Sequence, residues 1–350
     1  MRPALAIDPA LLAIPVVFNN EADIEASIDL LAQLSREIRS NKRCAICILS
    51  DSSRYLADAE MYPTQESIAK TLSAHNLSHV YAVEDIRRSV NDILSRADHL
   101  EHYSDVEFFI PVSTSAFPDI FEKVKKEELR EALELTAIHV AFAVAETSPD
   151  FFQMLLANRL IKDRINIKAK IDDIEPPYKG QTKIDEFGAT ILTESSVDSF
   201  LNAQSPRTLW QFAENEGEFE LAIRLAAREI RRQSGCPDPS RNCEAFSLGA
   251  SFVGSLDAWE ATGAEKNSAV VLDTCARIVA RMPKNELVKF FRPTGAKNKV
   301  EDVVRAHDSA EAWRTHVTKH QEALRLMFWR CRTGLVEFAN VGAKDDLEIL

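Results

Sequence analysis

Arg314, His316, Lys319, His320 and Arg325 place five cationic or titratable side chains within twelve residues. Permanent cations beside groups that titrate near neutrality suit metal-free cleavage of RNA. A base takes the proton of a ribose 2′-hydroxyl, an acid protonates the leaving oxygen, and guanidinium or ammonium groups stabilise the charge developing on phosphorus. These five residues are the candidate catalytic set. Lys297, Lys299, Arg305, Trp329 and Arg330 flank them as candidate nucleic-acid contacts, with the Trp313, Phe328 and Trp329 rings available to stack an unpaired base.

Other constellations carry less chemistry. Cys44 and Cys47 form a C-x-x-C, but in a strand residues three apart point to opposite faces, so core thiols are expected. Cys236 and Cys243 are spaced too widely for a zinc half-site. The pairs His75/His79, His99/His102 and His316/His320 share a face on a helix, yet none forms an H-E-x-x-H arrangement. His139, inside TAIHVAFAVA, reads as a hydrogen-bonded core histidine. Neither G-x-G-x-x-G, G-x-x-x-x-G-K-[ST] nor G-x-S-x-G occurs, which demotes dehydrogenase, P-loop and hydrolase readings. No metal and no cofactor are expected. Asp51-Ser52-Ser53-Arg54, after an apolar run, is the kind of strand-end loop where α/β sheets bind ligands, and a nucleotide or nuclease site there is a third reading.

The charge pattern localises the interest to the end of the chain. The 350 residues carry a net charge of −12, unlike a chain whose whole surface binds nucleic acid. Residues 284–332 nevertheless hold eleven Lys and Arg against six Asp and Glu, a net of +5 in an otherwise acidic chain. No stretch approaches the roughly 18 apolar residues of a membrane helix, and the first 20 residues, broken by Pro9 and Pro15, make a poor signal peptide. A cytoplasmic location, reduced cysteines and no membrane partner are expected.

The elements that must position these groups are read from periodicity. Helices are expected at 21–40, 65–75 behind Thr64, 84–97 and 127–146. Strands are expected at 44–50, 106–113, 165–172 and 189–195, the first two of them buried, with a short one near 79–83. Residues 207–283 read as mostly helical, and all four tryptophans follow residue 205. The end reads as a helix from about 301 to 321, then a β-hairpin of 324–330 and 335–342 around Gly334. The expected fold class is α/β or α+β: an acidic α/β domain over 1–205, then 206–350, a helical region ending in a basic helix-plus-hairpin module from about 284.

Trp313-Arg314, then Arg325-Leu326-Met327-Phe328, then Val341-Gly342-Ala343-Lys344-Asp345 resemble the C-terminal hairpin of RelE/ParE-type toxins, over at most residues 255–350. Many members of that superfamily are small α/β ribonucleases that cleave mRNA, often on the ribosome, and others act on gyrase. The resemblance implies Arg314 and Arg325 as the cations, with His316, Lys319 or His320 transferring protons. This chain has Val317-Thr318-Lys319-His320 where the family has a Gly-containing turn, and Phe328 where a functional Tyr often stands. Arg314-x5-His320 also fits the R-x4-6-H spacing of HEPN ribonucleases, a reading that requires helical surroundings. Two functions are therefore carried forward. One is an RNA-acting hydrolase of toxin or phage-defence type, partnered by RNA or the ribosome through the basic segment. The other is a non-enzymatic scaffold whose terminal hairpin and aromatics meet a protein, the acidic N-terminal domain being a second protein-binding surface.

Overall fold

A computed structural model describes residues 3–13, 21–40, 44–122, 124–147, 151–157, 163–239, 241–293, 300–318, 323–344, 346 and 348–350. The chain divides into two compact units, one over Arg2–Gln204 and one over Ser205–Leu350.

The first unit runs β1 (Ala4–Ile7), α1 (Glu21–Ser40), β2 (Ala45–Ile48), α2 (Ser52–Asp58), α3 (Gln65–Ala74), α4 (Val83–Arg96), β3 (Asp98–His99), α5 (Glu101–Ser104), β4 (Phe108–Phe117), α6 (Glu127–Glu146), β5 (Phe152–Leu155), β6 (Asp163–Glu175), β7 (Ile184–Glu194) and α7 (Val197–Ala203). Its seven strands lie in the order β3-β2-β1-β5-β7-β6-β4. The first five are mutually parallel, and β6 runs antiparallel to both β7 and β4.

ALAI, AICI and FQML, the strands β1, β2 and β5, are buried at every position, as parallel strands covered on both faces must be. Helix α6 crosses β1, β5, β6 and β7, and from Thr136 to Val144 it is buried all round, which explains why its sequence lacks a polar face there. Ile24, Ile28, Ile68, Leu72 and Ile86 form a core joining α1, α3 and α4. At the end of β1, Asp8 accepts from the backbone N–H groups of Ala10 and Ala157, both at 2.9 Å. Burial outweighs these bonds and pushes its carboxyl up to about 6.

In the second unit come α8 (Pro206–Phe212), α9 (Glu216–Gln233), β8 (Phe246–Leu248), α10 (Phe252–Ala258), α11 (Ser268–Val279), β9 (Val288–Lys289), β10 (Phe291–Pro293), β11 (Val300–Asp302), β12 (Glu311–His316), β13 (Arg325–Arg330) and β14 (Val336–Gly342). Five strands form one sheet, β8-β14-β13-β12-β9, and β10-β11 form a separate antiparallel pair. One face of the large sheet packs Phe328 and Phe338 against Phe252 of α10. On the other face Ala312, Met327, Trp329 and Ala339 pack with Phe290 and Ile349.

The α/β or α+β class stands, with helices and mixed sheets in one chain, and so do the hairpin and the helical stretch after residue 206. Three expectations do not. The described part of 301–321 holds strands β11 and β12 where a helix is expected. Trp313, Thr315 and Val317 alternate with small and polar residues, and β13 supplies the partner edge that makes this β pattern prevail. Residues 79–82 form turn and cap, and α4 begins at Val83. Strand β4 lies at a sheet edge with alternate side chains in solvent, not in the core.

Candidate nucleic-acid interface

The strand β12 decides which side chains meet. In a strand, residues two apart share a face, so Ala312, Arg314 and His316 project together, opposite to Trp313 and Thr315. Antiparallel pairing sets His316 directly opposite Arg325 and Arg314 opposite Met327. Arg314 and Arg325 are thus diagonal neighbours on one face, a separation of about 7 Å at the backbone. On its other side Arg325 faces Gly342, where the Asp346 carboxylate and the Met327 methyl fill the space that a Cβ would take. Three of the five candidate catalytic residues, Arg314, His316 and Arg325, are brought to one face; Lys319 and His320 lie outside the described residues.

The electrostatics of the two arginines are unusual. The Arg314 guanidinium lies 5.3 Å from the Phe290 ring centre. Among the described residues no carboxylate pairs with either Arg314 or Arg325, and the Nε of each is buried without a hydrogen-bond acceptor. Burial first, and then the charge of Arg325, pull the pKa of Arg314 below its ordinary value. Both effects make the protonated form costly until an anion arrives. The site is anchored from the side: Asn285 Nδ2 donates to the His316 carbonyl at 2.7 Å, and Thr315 Oγ1 donates to the Glu286 carbonyl at 2.9 Å.

The candidate nucleic-acid contacts separate from this face. Arg305 is held by Asp308, with Nη2 to Oδ2 at 2.7 Å, and by Glu337, and its guanidinium lies 5.1 Å from the Trp329 ring centre. The pairing raises its own pKa and holds the Asp308 carboxyl well below the usual carboxylate range. Arg305 is a structural cation, not a phosphate contact. Trp329, 6% exposed, is a core residue and offers no stacking surface. Arg330 stands opposite Val336 in the strand register and projects to the opposite face, with its guanidinium 5.0 Å from the Trp313 ring centre and Nη2 3.8 Å from Glu244 Oε1. Lys297 and Lys299 lie outside the described residues. Phe328 is buried as well, and Trp313 is part-exposed.

Other candidates resolve in place. Arg314 stands on a strand, so the HEPN reading lacks the helix it needs. No cysteine forms a disulfide, and among the described residues no three His, Cys, Asp or Glu side chains are grouped to hold a metal ion. His139 is buried with Nδ1 2.8 Å from Ser104 Oγ. No helix among the described residues is long and apolar enough to cross a membrane. Phe290 and Asn340, beside Met327 on the cationic face, carry no motif in the sequence, and the strand alternation of 312, 314 and 316 is the signal that locates them. Comparison with family models, curated proteins and solved structures finds no match to this chain.

Proposed function

We propose that the second unit binds RNA through Arg314 and Arg325 and cleaves it, in a toxin or phage-defence role. The observation that carries this reading is the pair of neighbouring guanidinium groups, each with a buried Nε that has no acceptor and neither in an ion pair with a described carboxylate. A bridging phosphodiester supplies the missing negative charge, and each arginine offers it charge-assisted hydrogen bonds. In cleavage the ribose 2′-oxygen attacks phosphorus and the P–O5′ bond breaks, leaving a 2′,3′-cyclic phosphate and a 5′-hydroxyl. His316, opposite Arg325, takes the 2′-hydroxyl proton. The leaving oxygen receives a proton from a second donor, for which the sequence offers Lys319 and His320. The arginines stabilise the pentacoordinate phosphorus between them.

The test uses the full chain, single-stranded RNA and a chelator, with and without ribosomes. The reading expects fragments ending in 2′,3′-cyclic phosphate. RNA that stays intact in both arms refutes cleavage, and fragments ending in 3′-hydroxyl refute the route.

A further inference from the structure

In the first unit, β4 closes the sheet: it pairs with β6, and among the described residues no strand occupies its other edge. Its sequence, FFIPVSTSAF, has no charged residue. Phe108, Ile110, Val112 and Phe117 are 52, 46, 56 and 77% exposed. Sheet edges are ordinarily guarded by lysines, inward charges or a covering element, and only Pro111 with its adjacent register shifts partly blunts this one. An open, neutral, apolar edge is a template for an added strand.

The amino-terminal end of β4 borders a cleft of about 380 Å³, in which Phe108, Ile110 and Pro111 form one wall and Asp51, Glu101, Glu107 and Glu131 reach the interior. Arg54 is spent on Asp51, at 2.8 Å. Glu101 Oε1 accepts from the N–H and the hydroxyl of Ser50, at 3.0 and 2.7 Å, while its Oε2 is buried and accepts from no described group. The other titratable groups of the cleft are Tyr55, whose pKa burial raises and whose hydroxyl donates to Glu131 Oε1 at 3.5 Å, and His139, which burial holds at about 4; both are uncharged at neutral pH. The cleft is therefore anionic with an unused acceptor.

We propose that β4 and this cleft together dock an extended segment of a partner protein, which adds a strand to the edge and places a lysine or arginine in the cleft. A second copy of this chain fits less well, because its own β4 brings no cation to meet the carboxylates.

A library of random twelve-residue peptides displayed on phage, panned against the full chain, tests the proposal. Enrichment of segments carrying Lys or Arg within a run of β-branched or aromatic residues is expected. Binding of the enriched synthetic peptides should fall at least tenfold in Val112→Lys, which alters only an exposed edge position, and in Glu101→Gln, which keeps the shape of the cleft. RNA cleavage by Val112→Lys should equal that of the wild type, separating this site from the second unit. No enrichment, enrichment of acidic peptides, unchanged binding in both variants, or self-association lost in Val112→Lys would each overturn it.

Discussion

At Arg305 the guanidinium meets Asp308 and Glu337 and lies over Trp329; at Arg314 it lies over Phe290 with no described carboxylate near it. The difference predicts opposite mutational behaviour. Arg305→Ala strips a half-buried ion network of its cation and should cost about 1–3 kcal/mol in denaturant unfolding, with RNA cleavage per folded molecule unchanged. Arg314→Met removes a partly buried charge that its neighbour repels, so stability should stay within about 1 kcal/mol of wild type or rise, while RNA binding weakens. His139 supplies a pH signature. Its folded pKa, about 4, lies below the ordinary histidine value of 6.5, so the unfolded chain binds the proton first as pH falls. The stability it contributes is complete above pH 6.5 and is lost on the way to pH 4, by about 3 kcal/mol at most. The stability difference between wild type and His139→Gln should shrink over that window, and a difference that is flat with pH would contradict the burial argument. Asp8 titrates with the opposite sign, gaining stability as pH falls through about 6, and cancels in this comparison.

Element by element, the sequence was readable where one periodicity dominated. Helices α1, α3, α4 and α6 follow their apolar spacing and caps, and β6, β7, β13 and β14 follow alternation and turn residues. Strands β1 and β5, ALAI and FQML, are too short for their residues to show a period. FFIPV reads as core, but hydrophobicity does not say whether a strand is central or at an edge, and β4 lies at the edge. The error at β12 mattered most for the site. On a helix Arg314 and His316 point about 200° apart, whereas on the observed strand they share a face with Arg325. The residue types were legible, and their convergence depended on a pairing partner that local sequence does not specify. That face rests on β14, whose fully buried Phe338 packs against Phe246, Phe252 and Phe328. Phe338→Ala should cost about 3–5 kcal/mol by opening this core, read as a lower midpoint of thermal or denaturant unfolding.

Over the whole molecule, a net charge of −12 opposes general association with polyanions, and the basic excess is confined to residues 284–332. Part of that excess is neutralised internally: Arg305 by Asp308 and Glu337, Lys289 by Asp302 and Glu311. On the proposed function, RNA binding rests on a small contact, two arginines facing one phosphate, and not on an extended basic surface. Each neutralised phosphate of a single strand contributes about −0.7 to the slope of log K against log salt. The most direct measurement is that slope for the full chain and a single-stranded 2′-O-methyl RNA, whose blocked 2′-oxygen cannot attack phosphorus. With one phosphodiester held between the two guanidinium groups, a slope near −0.7 is predicted for wild type, with weaker binding at a given salt in Arg314→Met or Arg325→Met and no salt-dependent binding in the double variant. Single variants that bind as tightly as wild type, or no binding at low salt, would contradict the claim that these two cations hold the phosphate.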